Sequence, residues 1–181
     1  MKKSSHTREA LKNIKQIGSV TSSSQFLARK MTKDIEFDKK IKVLELGAGN
    51  GVITKEILKN LNQDSKVTSY EIHETFARDL RQIKDDRLSV MQENVTELSK
   101  LEDRSFDVVV SSLPLAMFDK AFKEEIYSNI KNKLVKNGLF VQYQYSLLDY
   151  KEINKYFKNC KLDFCFLNVP PAFVYKVRLV G

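Results

Sequence analysis

The chain has 181 residues, 42% hydrophobic and 30% charged, with a formal net charge of +8. That length suits one domain with a buried core, and the apolar fraction excludes a disordered tail. No apolar run reaches the roughly 18–20 residues that span a bilayer, and the basic start Met1-Lys2-Lys3-Ser4-Ser5-His6 has no apolar signal core behind it, so a cytoplasmic location is expected. The positive charge suits an anionic partner, either nucleic acid or an acidic membrane surface, or else a lysine-rich solubilising surface.

In chain order, Arg8 to Ile17 places Ala10, Leu11, Ile14 and Ile17 on one helical face, with Arg8, Lys12 and Lys15 on the rest. This basic amphipathic helix would either lie on an anionic leaflet or pack on the sheet. Gly18 breaks it, and Ser22-Ser23-Ser24 offers an N-cap for a second helix from about Gln25 to Ile35. From Ile41 the pattern changes. Ile41–Leu46 reads as a buried strand, followed by a glycine loop and a helix over about Val52–Leu61.

Lys66–Glu71 is a second strand, Thr75–Ile83 a helix, Arg87–Gln92 a third strand and Phe106–Ser111 a fourth, apolar enough for the inside of a sheet covered on both faces. A helix over about Lys120–Leu134 is expected to end on Asn137-Gly138 as a C-cap, before a fifth strand over Leu139–Tyr145. After a short helix near Tyr150–Phe157, Lys161–Leu167 and Phe173–Leu179 form a closing hairpin across Pro170-Pro171. Cys160 and Cys165 lack metal-like spacing, and only His6 and His73 could supply imidazole, so two free buried thiols and no metal are expected. Alternating strands and helices imply a doubly wound, mostly parallel α/β sheet of seven strands, with helices on both faces and an antiparallel C-terminal hairpin.

The loop Glu45-Leu46-Gly47-Ala48-Gly49-Asn50-Gly51 follows the first strand and opens a helix. Glycines there allow close backbone approach and positive φ. Its GxGxG spacing differs from the GxGxxG of pyrophosphate-binding loops, and a carboxylate at Glu45 would repel a pyrophosphate. It suits a ligand carrying an ammonium and a sulfonium, as S-adenosylmethionine does. Glu71 and the adjacent Ile72 close the second strand, where an acid can accept hydrogen bonds from ribose hydroxyls. Glu93-Asn94-Val95 falls where an adenine edge would lie, and Ser111 closes the fourth strand. The expected cofactor set is therefore Glu45, Gly47, Ala48, Gly49, Gly51, Glu71, Ile72, Asn94, Val95 and Ser111.

Val43 to Thr54 resembles motif I of class I S-adenosylmethionine-dependent methyltransferases, a Rossmann-like family. It particularly resembles bacterial phospholipid N-methyltransferases, which methylate phosphatidylethanolamine, and more distantly the related rRNA adenine dimethyltransferases. Ile17 to Met31 resembles the segment preceding the core in the phospholipid enzymes. A shorter Gln-x-Phe-Leu version opens the rRNA enzymes. Ser111-Ser112-Leu113-Pro114-Leu115 matches the Ser-x-Leu-Pro-Leu form of the phospholipid family and lacks the polar side chain and aromatic ring that hold a flipped adenine. Phe140–Ser146 and Asn168–Tyr175 also look like the phospholipid enzymes. The extra helical domain of the rRNA enzymes is not expected.

The resemblance implies a lipid-amine acceptor, for which Gln25, Phe26, Leu113, Pro114 and Tyr145 are the expected contacts; Tyr145, at the carboxyl end of the fifth strand, reads as the orienting group, and Tyr143 is expected on the opposite strand face if that strand is regular. Residues 1–36 then read as a helical extension acting as a membrane or substrate-lid element, and residues 37–181 as the methyltransferase domain. Expected partners are an anionic membrane surface on the inner face of the cell membrane and an amino-phospholipid. No protein partner is indicated. RNA methylation, methylation of a small-molecule amine, and cofactor binding without catalysis are the alternatives. His73, following Glu71, reads as a helix-cap residue before it reads as a base.

Overall fold

The computed structural model describes residues 23–180, so the predicted helix over 8–17 lies outside the described residues. Three strand ends stand level at the centre of the sheet. In β1 (Lys42–Leu46), Leu46 pairs beside Tyr70 of β2 (Lys66–Tyr70) on one side and Ser111 of β4 (Phe106–Ser111) on the other, all in parallel register. β3 (Leu88–Met91) adds to β2, and β5 (Leu134–Gln144) to β4. β7 (Ala172–Arg178) then pairs antiparallel with β5, and β6 (Lys161–Cys165) antiparallel with β7. The order β3-β2-β1-β4-β5-β7-β6 reverses direction between β1 and β4. In open sheets that crevice, at the carboxyl ends of the strands, is where ligands bind.

Both sheet faces are covered, which is why Val108, Val109 and Val110 are all buried. On one face Leu44, Leu46, Val109, Phe140 and Tyr175 pack under the helices α4 (Lys120–Lys133) and α5 (Tyr150–Phe157). On the other, Val43, Val67, Val110 and Val141 meet α1 (Gln25–Thr32) and α2 (Val52–Asn60). The α3 helix (Glu74–Arg81) lies between β2 and β3 in the chain. The expected serine cap is present: Ser24 Oγ accepts the Leu27 amide at 3.2 Å, and Leu27, Ala28 and Met31 bury the inner face of α1. Cys160 and Cys165 are buried free thiols. Among the described residues no helix is long and apolar enough to cross a membrane.

One boundary differs from expectation. The α4 helix ends at Lys133, and β5 begins at once, so Asn137-Gly138 is not a helix cap. Phe106 pairs with Leu134 but Val108 with Leu139, so the intervening residues of β5 bulge out. Asn137 adopts φ 63°, tolerable for asparagine, and its amide donates to Leu179 O at 3.0 Å while the Leu179 amide donates to Gly138 O at 2.9 Å. Pairing with the chain end turns the Asn-Gly dipeptide into a bend inside a strand.

Candidate cofactor and acceptor site

The glycine loop rises from β1 at the switch point. Gly47, Gly49 and Gly51 all have positive φ, at 74°, 54° and 76°. The Gly47 and Ala48 amides donate to Tyr70 O at 2.8 and 3.2 Å, which binds the loop to the end of β2. The glycines are not equivalent. A Cβ on Gly51 would stand 2.8 Å from Leu80 Cδ2, and one on Gly47 would touch Leu113 at 3.4 Å, whereas a Cβ on Gly49 would enter open space. Gly51 and Gly47 therefore permit close packing, and Gly49 presents bare backbone to whatever occupies the crevice. Gly51 is also the N-cap of α2 and has no side-chain cap, which leaves first-turn amides free for a ligand.

Glu71 accepts the Gly49 amide at 2.7 Å through Oε2 and the His73 amide at 2.7 Å through Oε1. Each oxygen keeps a lone pair for a hydroxyl. Ile72 follows, half-buried. Asn94 caps the 3-10 turn Val95–Lys100 by accepting the Thr96 amide at 3.1 Å. The Val95 side chain is packed into the core, so only its backbone could meet a ligand. Ser111 is buried, its Oγ accepting the Leu113 amide at 3.4 Å.

Glu45 lies deeper than its place beside the loop suggested. It is fully buried, and its Oε2 accepts Thr54 Oγ1 at 2.7 Å and Ser69 Oγ at 2.6 Å. Its Oε1 is buried without a hydrogen-bond partner. Burial, and next the charge of Glu71, push the carboxyl up to about 7 against the opposing hydroxyl bonds. A cation reaching Oε1 would satisfy this oxygen and favour the ionised form.

The acceptor side is set by the segment after β4. Leu113 is nearly buried against Gly47, so it shapes the loop more than it faces an acceptor, while Pro114 is half-buried. Two glutamines that sequence reasoning missed hold this segment. Gln142 Nε2 and Gln144 Nε2 donate to Leu113 O at 3.0 and 2.9 Å. Their signal was polar residues two apart in an otherwise apolar central strand, where buried amides need partners.

Tyr145 is partly exposed just past β5, and its ring meets Tyr143 edge-on with centroids 5.6 Å apart. The two therefore share a face, correcting their expected separation, because residues two apart in a strand point the same way. Tyr143 receives Ser23 Oγ at 3.4 Å, and Asn168 Oδ1 receives the Ser24 amide at 2.9 Å, which brings the start of α1 to this rim. Gln25 and Phe26 begin that helix and are exposed. His73 is the N-cap of α3, its ring tilted 42° against Phe76 with centroids 5.0 Å apart, on the β2 side of the crevice and away from β5.

A doubly wound sheet with a glycine turn at its switch point, an acid after β2 and a carboxylate beneath the turn defines a class of nucleoside-cofactor-binding α/β proteins. Residues 37–168 match a family described as a methyltransferase domain. The chain is 32% identical over 169 residues to an ornithine lipid N-methyltransferase of Singulisphaera acidiphila, covering 90% of this chain and 88% of that protein. A polyamine aminopropyltransferase of Buchnera aphidicola subsp. Schizaphis graminum is 30% identical over 134 residues, covering 67% of this chain. The chain spans about half of that relative's length, 46%. Among solved structures, a Burkholderia thailandensis 1,6-didemethyltoxoflavin-N1-methyltransferase with bound S-adenosylhomocysteine shares the fold at a TM-score of 0.72 and 14% identity, covering 99% of this chain and 89% of that one. The chain belongs to the class I S-adenosylmethionine-dependent methyltransferases.

Proposed function

We propose that this methyltransferase transfers the methyl group of S-adenosylmethionine to the amine of an amino-lipid headgroup at a membrane surface. The observation that carries the reading is the makeup of the acceptor side: Pro114, Phe26 and the Tyr143–Tyr145 pair make it apolar and aromatic. It has Ser111 and Pro114 where base-modifying enzymes place a polar gripping group and a stacking ring. The ornithine lipid N-methyltransferase, similar over nine-tenths of the chain, supports an amine on a lipid. Phosphatidylethanolamine and ornithine lipids both carry such an amine.

On this reading Gly47, Ala48, Gly49 and Gly51 supply the backbone cradle, Glu71 and Ile72 meet the ribose side, and Asn94 with the Val95 backbone borders the base. Glu45 Oε1 receives the ammonium of the methionine moiety. Bound there, S-adenosylmethionine supplies an electrophilic methyl on a sulfonium. Ser111 closes the floor beside it. Gln142 and Gln144 fix the Leu113–Pro114 segment that faces the acceptor.

The acceptor must arrive as a free amine, since an ammonium has no lone pair and a simple amine holds its proton up to a pKa near ~10. Burial pushes the Tyr143 phenol far above its ordinary range, so it stays a neutral wall and not a base. His73 is separated from β5 by β1 and β4. The site therefore selects the neutral fraction of the amine, and Tyr145 orients it. The ring faces of Tyr145 and Phe26 also suit the methylated cation that forms.

Residues 1–36 act as a membrane or lid element in this reading, and the +8 net charge favours an anionic inner leaflet. The test is to offer methyl-labelled S-adenosylmethionine with vesicles containing phosphatidylethanolamine or ornithine lipid, and separately with rRNA. Label in the lipid fraction is expected. Label in RNA alone overturns the lipid acceptor, and cofactor binding without transfer to any acceptor overturns catalysis.

A further inference from the structure

Two loops at the carboxyl rim of the sheet expose large apolar side chains that the core does not use. Leu147 and Leu148 lie between β5 and α5, and Phe166, Leu167 and Val169 lie between β6 and β7; all five are between 47% and 86% exposed. The topology puts the two loops on one edge. Gln144 at the end of β5 pairs with Phe173, and Cys165 at the end of β6 pairs with Ala172, so both strands end level with the start of β7. β1 and β4, parallel to β5, carry the glycine loop and the acceptor segment out of the same edge.

These loops are held from behind. Tyr175 Oη donates to Ser146 O at 2.7 Å, and Asn168, itself buried, donates to Pro170 O at 2.7 Å while accepting the Ser24 amide. A loop fixed by a buried asparagine, with Phe166, Leu167 and Val169 turned outward, presents an apolar surface in a set shape. Contiguous apolar exposure of this kind marks an interaction site. Lys151, at the start of α5, and Lys120, at the start of α4, stand at the same rim, exposed and outside every ion pair among the described residues. Apolar tips with these lysines at the neighbouring helix starts match the boundary between acyl chains and anionic headgroups.

We infer that the Leu147–Leu148 loop and the Phe166–Val169 hairpin tip form a membrane-docking rim that seats the open end of the cofactor crevice on an anionic phospholipid bilayer. The inference rests on the lipid-acceptor reading above and specifies the surface through which that acceptor is reached. Insertion of the tips lets a headgroup amine enter beside Tyr145 without its acyl chains leaving the bilayer.

The full chain with Leu148→Asp, Phe166→Asp and Val169→Asp tests it, all three being surface positions outside the cofactor and acceptor sites. Cosedimentation with phosphatidylethanolamine/phosphatidylglycerol vesicles should weaken at least tenfold. Calorimetric S-adenosylmethionine affinity and turnover on a dispersed short-chain amino-lipid should remain as in the wild type. Unchanged vesicle affinity overturns the docking rim. So does a variant whose only change is loss of a self-associated state in ultracentrifugation, since a second copy would then be the occupant. Vesicle binding that requires removal of residues 1–22 to appear also overturns it, because that segment would then cover the rim. Wild-type protein that binds vesicles through these residues but methylates neither vesicular nor dispersed lipid would overturn the acceptor reading alone.

Discussion

The Gly49 amide donates to Glu71 Oε2 at 2.7 Å, so the bare centre of the glycine loop is held by the acid that closes the neighbouring strand. Loop shape and, on the proposed reading, ribose recognition thereby depend on one carboxylate. Glu71→Ala should weaken S-adenosylmethionine binding by about 100-fold, the scale of losing charge-assisted hydrogen bonds worth about 1.5–3 kcal/mol. The protein should remain folded, since only two loop amides lose their acceptor. Titration calorimetry beside circular dichroism checks both; unchanged affinity would remove Glu71 from the site.

Gly49 and Gly51 separate binding from stability. Gly49→Ala places its methyl in open space, so the fold should lose only the strain of a left-handed alanine, about 1–2 kcal/mol, while cofactor affinity falls sharply. Gly51→Ala drives its Cβ within 2.8 Å of Leu80 and adds overpacking, about 1–3 kcal/mol more. Urea unfolding and calorimetry of the two variants should rank them in opposite order.

Glu45 gives the stability a pH signature. Its carboxyl is raised to about 7 by burial, above an ordinary value of 4.5. Between those values the folded state holds a proton that the unfolded state releases, so its contribution to stability falls as pH rises from about 4.5 to 7 and levels off above. Glu45→Gln should remove this slope and gain on the order of 1–3 kcal/mol at pH 8 relative to pH 4.5. If Oε1 meets the ligand ammonium, wild-type affinity should rise about fivefold from pH 6 to 7, and the variant's should not. Denaturant melts and calorimetry across pH 4.5–8 decide both points.

Gln142 and Gln144 act through Leu113 O. Gln142→Met should leave S-adenosylmethionine affinity within twofold and lower kcat/KM for the acceptor about tenfold, because the Leu113–Pro114 segment loses one of its two anchors. Proportional losses in both would mean a merely structural role.

The succession of strands and helices, the glycine loop and the serine cap of α1 were legible because their signals are local. Gly47, Gly49 and Gly51 announce positive φ within one turn, and valines at 108–110 announce a doubly covered strand. What was illegible depended on distant partners. Glu45 is buried because Thr54 and Ser69, nine and 24 residues away, supply hydroxyls to it. The glutamine anchors reach 29 and 31 residues back to Leu113. Asn137-Gly138 serves equally as a helix cap or a bend within a strand, and pairing with Leu179 decides between them.

The most direct measurement is mass spectrometry of amino-lipid recovered from vesicles after incubation with the protein and S-adenosylmethionine, alongside a count of S-adenosylhomocysteine formed. Methyl groups on the headgroup nitrogen, matched one for one by S-adenosylhomocysteine, are expected. Unmodified lipid beside methylated RNA, or no product with the cofactor bound, would contradict this expectation.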